Sequence, residues 1–94
     1  MRINNTLKIL SLTNNEVGDR GVKALAAALR INNTLMKLFL ACNNIGDEGA
    51  ISIRDALLTN GSLKYLDLDK NFRISEQTRN DITSTIRADI IFVL

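Results

Sequence analysis

The residues of this chain that could do chemistry are a pair of acids two positions apart, Asp67 and Asp69. On a strand both side chains would point the same way, where they could bind a cation or act as acid and base. The chain has no histidine, which excludes Ser-His and Cys-His catalysis and histidine metal ligands. Because no matching carboxylate column occurs earlier in the chain, we interpret the pair as part of a solvated strand face.

The single cysteine and two glycine loops do not add a catalytic site. Cys42 has no second cysteine with which to form a zinc site or an intramolecular disulfide. The Gly-Asp-x-Gly segments at 18–21 and 46–49 lack the lysine and the glycine spacing of a phosphate loop. Such segments are typical of a turn that leads into a helix, with Asp19 and Asp47 as N-caps. We therefore predict a protein that is not an enzyme and has no cofactor and no metal.

A stretch that recurs at a constant interval organises the chain. Asn-Asn-Thr-Leu begins at residues 4 and 32, and Asn-Gly-Ser-Leu begins at residue 60, so the two intervals are equal. A fixed period of this size indicates a solenoid of repeated units. We expect one domain over residues 1–94, with repeats at about 4–31, 32–59 and 60–88. Residues 89–94 would form either a closing strand or the stump of a further repeat.

Each repeat is predicted to contain a short strand and then a helix. In the first, Leu10 and Leu12 would point to one side of the strand and Ile9, Ser11 and Thr13 to the other. Apolar residues then recur at helical spacing. The third repeat gains one residue near 72–73, after which we expect its helix to be capped by Ser75 or to open at Glu76.

The pattern Leu7-x-x-Leu10-x-Leu12-x-x-Asn15-x-Val17 resembles a leucine-rich repeat, and the period with a full helix resembles the ribonuclease-inhibitor type. The resemblance implies an α/β fold, a right-handed β-α solenoid that forms part of a horseshoe, with parallel strands inside and helices outside. It also implies an intracellular protein. The asparagines at the strand ends would hydrogen-bond backbone groups of the adjacent turn. They are Asn15, Asn43 and Asn71.

The inner strand face carries the variation between repeats. Phe39 and Tyr65 should be exposed on neighbouring strands, edged by Lys37 and Asp67. Aromatic residues with a charged rim are typical of a protein-binding hot spot, although Phe39 could also be a tolerated exposed apolar residue. The predicted partner-binding residues are Ile9, Ser11, Lys37, Phe39, Tyr65, Asp67 and Asp69.

Charge and cysteine content narrow the class of partner. The net charge is +2 and no basic stripe occurs, so we expect a protein partner and no nucleic acid. The apolar run near the N-terminus is too short and broken for a signal peptide or membrane span. A single cysteine fits a reducing, cytoplasmic compartment.

Two alternatives to a protein-binding module remain open. In the first, the chain regulates a GTPase or senses a ligand as part of a larger protein, with Arg73 as a contact. In the second, it is a structural spacer in a longer solenoid.

The two ends of the solenoid predict self-association. The first strand has an unpaired edge, and residues 90–94 are apolar and prone to form a strand. Exposed strand edges and open hydrophobic ends favour pairing with another chain. We expect a symmetric dimer formed through one end.

Overall fold

The computed structural model describes residues 7–94, and its strands and helices alternate along the chain as an α/β solenoid. Residues 1–6, which include the predicted start of the first repeat at residue 4, lie outside the described residues. The elements are β1 (Ile9–Ser11), α1 (Gly18–Ile31), β2 (Lys37–Phe39), α2 (Asp47–Ala56), β3 (Tyr65–Asp67), α3 (Glu76–Thr85) and β4 (Ile91–Val93). The four strands are parallel and lie side by side in chain order.

The strand register follows the sequence period for the first three strands. Ile9 pairs with Lys37, and Lys37 pairs with Tyr65, so each pairing step equals one full period of the sequence. Tyr65 pairs with Ile91, which falls short of a full period. The last six residues of the chain thus include a strand of the same sheet, although it comes two residues earlier than the period predicts.

The core lies between the leucine side of the strands and the helices. Leu38 and Leu66 are buried in β2 and β3, and Leu25 and Ile53 are buried in α1 and α2. Alternation along each strand places every second side chain in this core. Phe92 in β4 and Leu10 in β1 occupy the same position but are only partly buried, because each lies on an outer strand of the described sheet.

The two aspartates predicted as N-caps of their own helices do not cap them. Helix α1 already begins at Gly18, and α2 begins at Asp47 itself; neither helix has a side-chain cap. The Asp19 carboxylate instead accepts hydrogen bonds from Gly46 N at 2.7 Å and Gly49 N at 3.1 Å, both at the start of α2. Stacking places successive helix N-termini side by side, so Asp19 satisfies the free amides of the next helix.

Asp47 makes a similar link one repeat later. Its carboxylate accepts a hydrogen bond from Ser75 N at 2.6 Å, and this bond lowers the pKa of Asp47 below its usual value. Ser75 precedes α3, and its hydroxyl accepts from Thr78 N at 3.2 Å. The Ser75 hydroxyl therefore caps its own helix, whereas both aspartates act on the following repeat.

Two asparagines fasten neighbouring repeats at the ends of the strands. The Asn43 side chain accepts from Asn15 N at 2.9 Å and Val17 N at 3.1 Å, and it donates to Leu12 O at 2.7 Å. Asn71 makes the same arrangement one repeat later. Within the described residues, the exposed Asn15 side chain bonds only to its own turn, at Thr13 O. The expected bond to an adjacent turn is not made by Asn15, because no described repeat precedes it.

Arg87 takes over a role that an asparagine fills one repeat earlier. The Asn60 amide donates to Leu29 O at 2.9 Å and Asn32 O at 2.8 Å. The equivalent carbonyls in the next repeat are those of Leu57 and Asn60, and the Arg87 guanidinium donates to both. Arg87 was not predicted from the repeat pattern, because a guanidinium reaches the same acceptors from a different position in the repeat.

The Arg87 guanidinium also helps to hold an acidic side chain. Asp89 accepts hydrogen bonds from Lys64 at 2.6 Å and from Arg87 at 3.0 Å. These bonds, the one from Lys64 first, lower the pKa of Asp89 to about 2. The turn before β4 is therefore fixed to the start of β3.

Candidate protein-binding face of the sheet

We call the side of the sheet that is turned away from the helices the concave face. The strand register arranges its side chains in two rows. The first row is Ile9, Lys37, Tyr65 and Ile91, and the second is Ser11, Phe39, Asp67 and Val93. Six of the seven predicted partner-binding residues therefore lie together, and the seventh, Asp69, lies just beyond the end of β3.

Phe39 and Tyr65 form the centre of the concave face. Their ring centroids are 5.2 Å apart and the ring planes are tilted by 39°, a geometry that aromatic pairs favour. Both side chains are half-buried rather than exposed as predicted, because a diagonal pair on adjacent strands can make mutual contact. The two rings present one continuous aromatic surface rather than two separate side chains.

The charged residues of this face have different surroundings. Lys37 is exposed between Ile9 and Tyr65 in the first row. Asp67 accepts a hydrogen bond from Asp69 N at 2.9 Å, so this carboxylate is held within its own turn. No group of three potential metal ligands occurs among residues 7–94. The face therefore offers an aromatic centre with a cation beside it and carboxylates at one end.

Two residues of the face were missed by the sequence analysis. Ile91 and Val93 extend the rows into β4, and Ile91 is 64% exposed. Their apolar character was noted, but the register of β4 could not be read from the sequence period, which places the strand two residues too late. Together with Ile9, which is 53% exposed, Ile91 gives the first row an exposed isoleucine at each end.

A groove lies at the last repeat, on the helix side of β4. Its volume is about 730 Å³. Ile86, Ile90, Phe92 and Leu94 supply its apolar lining, and the arginines Arg79 and Arg87 also border it. The groove is thus bordered by α3 and by the core-facing side of β4, at one edge of the described sheet.

Comparisons with known proteins address the fold directly. A family model described as "Leucine Rich repeat" matches residues 4–26 and 32–53. A solved structure titled "Leiomodin-1 Actin-Binding Site 2 (ABS2)" superposes with a TM-score of 0.87 and 26% sequence identity over 97% of this chain. The match covers 54% of that structure, so the chain spans about half of its length. No curated protein matches the chain.

None of the helices in residues 7–94 has the length and apolar character needed to cross a membrane.

The strand-helix repeat with its asparagine links, the family model and the solved structure all agree on the architecture. This chain is a leucine-rich repeat protein.

Proposed function

We propose that the chain is a non-enzymatic interaction module that binds a partner protein on its concave face. The observation that carries the proposal is the paired Phe39 and Tyr65 rings at the centre of that face. Half-buried aromatic residues provide a large contact area and lose little side-chain entropy on binding. Exposed isoleucines on the outer strands and Lys37 at the centre complete a mixed apolar and charged surface.

Actin is the first partner to test. The solved structure that resembles this chain is named as an actin-binding site, and 26% of aligned residues are identical. We also propose that the protein belongs to the ribonuclease-inhibitor type and acts in the cytoplasm, where the single Cys42 would stay reduced.

Regulation of a GTPase through Arg73 is less well supported. The Arg73 guanidinium donates to Asn44 O at 3.1 Å and lies 3.8 Å from the Asp19 carboxylate. An arginine that stabilises a transferring phosphoryl group must reach outward to that group, whereas Arg73 is directed back onto its own protein. A spacer role would leave the Phe39–Tyr65 pair without a partner, so we favour binding.

Phe39→Ala and Tyr65→Ala should each weaken binding to purified actin by about tenfold or more, as truncation of a central aromatic residue typically does. Neither change should prevent folding, because both side chains lie on the concave face rather than in the core. Fluorescence titration would give the affinity and thermal melting the stability. Leu58→Ala, at an exposed position outside the two rows of the concave face, is the control and should bind as the unaltered chain does.

Three other outcomes would count against parts of this proposal. Unchanged affinity in both aromatic variants would exclude the concave face as the binding surface. If the unaltered chain does not bind, actin is not the partner. If both variants unfold, the two rings belong to the core.

We further propose that two chains associate through the last repeat. Strand β4 is one of the two outer strands of the described sheet, and the apolar groove lies beside it. Light scattering over a concentration series should show a mass rising from one chain to two. Leu94→Glu, which places a charge in the groove, should keep the chain monomeric. A constant monomer mass for the unaltered chain at high concentration would contradict this proposal.

A further inference from the structure

The third repeat differs from the others at the turn that follows its strand. In the first two repeats, one residue lies between the strand-end asparagine and the next apolar residue that packs on the core. This intervening residue has a positive φ, 50° at Glu16 and 56° at Asn44. In the third repeat two residues, Phe72 and Arg73, fill this interval, and neither has a positive φ. The insertion therefore replaces a left-handed residue by a longer turn in ordinary backbone conformations.

The longer turn is held firmly at its base. Ile74 N donates to Asn71 O at 3.1 Å and closes a four-residue turn, and both of these residues are buried. Arg73 pairs with Gly46 in an isolated parallel bridge, and its guanidinium donates to Asn44 O. Backbone bonds and a side-chain bond thus fix the turn on the preceding repeat.

Phe72 lies at the tip of this turn and is 84% exposed. Turn positions of this kind favour glycine, proline, asparagine, aspartate and serine, so local backbone preference does not explain a phenylalanine there. Packing does not explain it either, because the side chain lies outside the hydrophobic core. A large aromatic side chain is therefore displayed at a fixed position, which lowers the ordering cost of inserting it into another molecule.

We propose that Phe72 is an anchor that inserts into an apolar pocket of a partner protein, and that carboxylates line the rim of that pocket. The charged residues beside Phe72 are the reason for expecting carboxylates at the rim of the pocket. Lys70 is exposed on one side of the turn tip. The Arg73 side chain lies on the other and is 57% exposed, although part of its guanidinium is bonded to Asn44 O. Both neighbours are cations, so an acidic rim is the complementary chemistry.

A second copy of this chain does not fit that description. The groove at the last repeat is an apolar recess of the described residues that could receive Phe72, but Arg79 and Arg87 border it. Inserting Phe72 there would bring Lys70 and Arg73 close to two further cations, and such like-charge contacts oppose binding.

A membrane surface fits less well than a protein. Stable attachment to a membrane requires two strong signals, such as two lipid chains or one chain with a polybasic patch. The turn offers one aromatic side chain and two cations, and the Asp19 carboxylate lies 3.8 Å from the guanidinium of one of them, Arg73. A single rigid side chain is instead the usual form of a protein hot spot.

The size of the concave face independently favours contacts at the loops. Three-residue strands about 4.8 Å apart cover a patch of roughly 14 Å by 10 Å, whereas a stable interface buries about 800 Å² on each partner. A partner bound to the concave face would therefore also reach the loops at one end of the strands. Phe72 is the exposed large apolar side chain in the loop after β3, where Leu68 and Ile74 are buried.

Site-specific photo-crosslinking tests the proposal without knowledge of the partner. Phe72 would be replaced by p-benzoylphenylalanine in cells expressing the full chain, and Leu58, which is 72% exposed, would be replaced in the matched control. We expect a protein crosslinked from position 72 and not from position 58, with the crosslinked peptide identified by mass spectrometry. No crosslink above the control, or a crosslink to lipid, would overturn the proposal.

The identified protein would then be purified for titration against variants of the chain. Phe72→Ala should lower its affinity about tenfold or more, and Lys70→Glu should lower both the affinity and its sensitivity to salt. Leu58→Ala should bind as the unaltered chain does, and all three variants should melt at the unaltered temperature. Equal affinity for the Phe72→Ala variant and the unaltered chain would overturn the proposal even if a crosslink forms.

Discussion

Replacing Leu38 with alanine should destabilise the chain by about 2–5 kcal/mol, the usual cost of removing a fully buried leucine side chain. Leu38 lies at the centre of β2 with no exposed surface. It pairs in register with Leu10 on one side and Leu66 on the other. The substitution therefore opens a cavity between the second repeat and both of its neighbours.

A loss of this size would be a large fraction of the total stability. Domains of this length typically have about 5–15 kcal/mol, and in a repeat protein that total is a sum of a few repeat and interface contributions. We expect a far lower denaturant midpoint, or no cooperative transition at all. Lys37→Ala is the matched control, because Lys37 is on the same strand and points away from the core. An unchanged midpoint in the Leu38→Ala variant would mean that the strand faces are wrongly assigned.

The regular part of the fold was predictable from the sequence because the same physical solution is used in each repeat. The leucine columns predict which strand face is buried, and the constant sequence period predicts the pairing of Ile9, Lys37 and Tyr65. Two neighbouring parallel strands need a long crossover connection between them. The helical spacing of apolar residues after residue 18 predicts that this connection is a helix, as α1 is. These features are local and repeated, so each copy supports the others.

The features that were predicted wrongly or missed lie between repeats or where the period changes. Asp19 was predicted to cap its own helix, because the capping rule considers only neighbours in the sequence. Its carboxylate instead accepts a hydrogen bond from Gly46 N in the next repeat. Arg87 has no counterpart of its own type in the earlier repeats. The register of β4 and the turn at Phe72 both follow from changes in repeat length, which a constant period cannot describe.

In the candidate site, too, the features that repeat in each unit were predictable and the contacts between repeats were not. The alternation rule placed Phe39 and Tyr65 on the concave face, but their contact depends on the diagonal offset between adjacent strands. The alternation rule predicts the exposure of each residue separately. It therefore does not predict that the two rings cover part of each other. Ile91 joined the face only once the pairing of β4 was known.

Asn71→Ala should be the most damaging polar substitution. The buried Asn71 side chain accepts from Asn43 N at 2.8 Å and Ile45 N at 3.0 Å, and it donates to Leu40 O and Leu68 O, each at 2.9 Å. Alanine would leave two amides and part of two carbonyls without partners. Each buried group that loses its partner costs about 1–3 kcal/mol, so we expect a loss of about 3 kcal/mol or more.

Asn15→Ala provides the matched control within the same set of strand-end asparagines. Asn15 is exposed, and its described side-chain bond is to Thr13 O in its own turn. Water can replace that bond, so the change in stability should stay below about 1 kcal/mol. Chemical denaturation of both variants would measure the difference directly. Equal losses at the two positions would show that the asparagines act locally in their own turns, whereas a large loss at Asn71 alone shows that the side chain joins one repeat to the next.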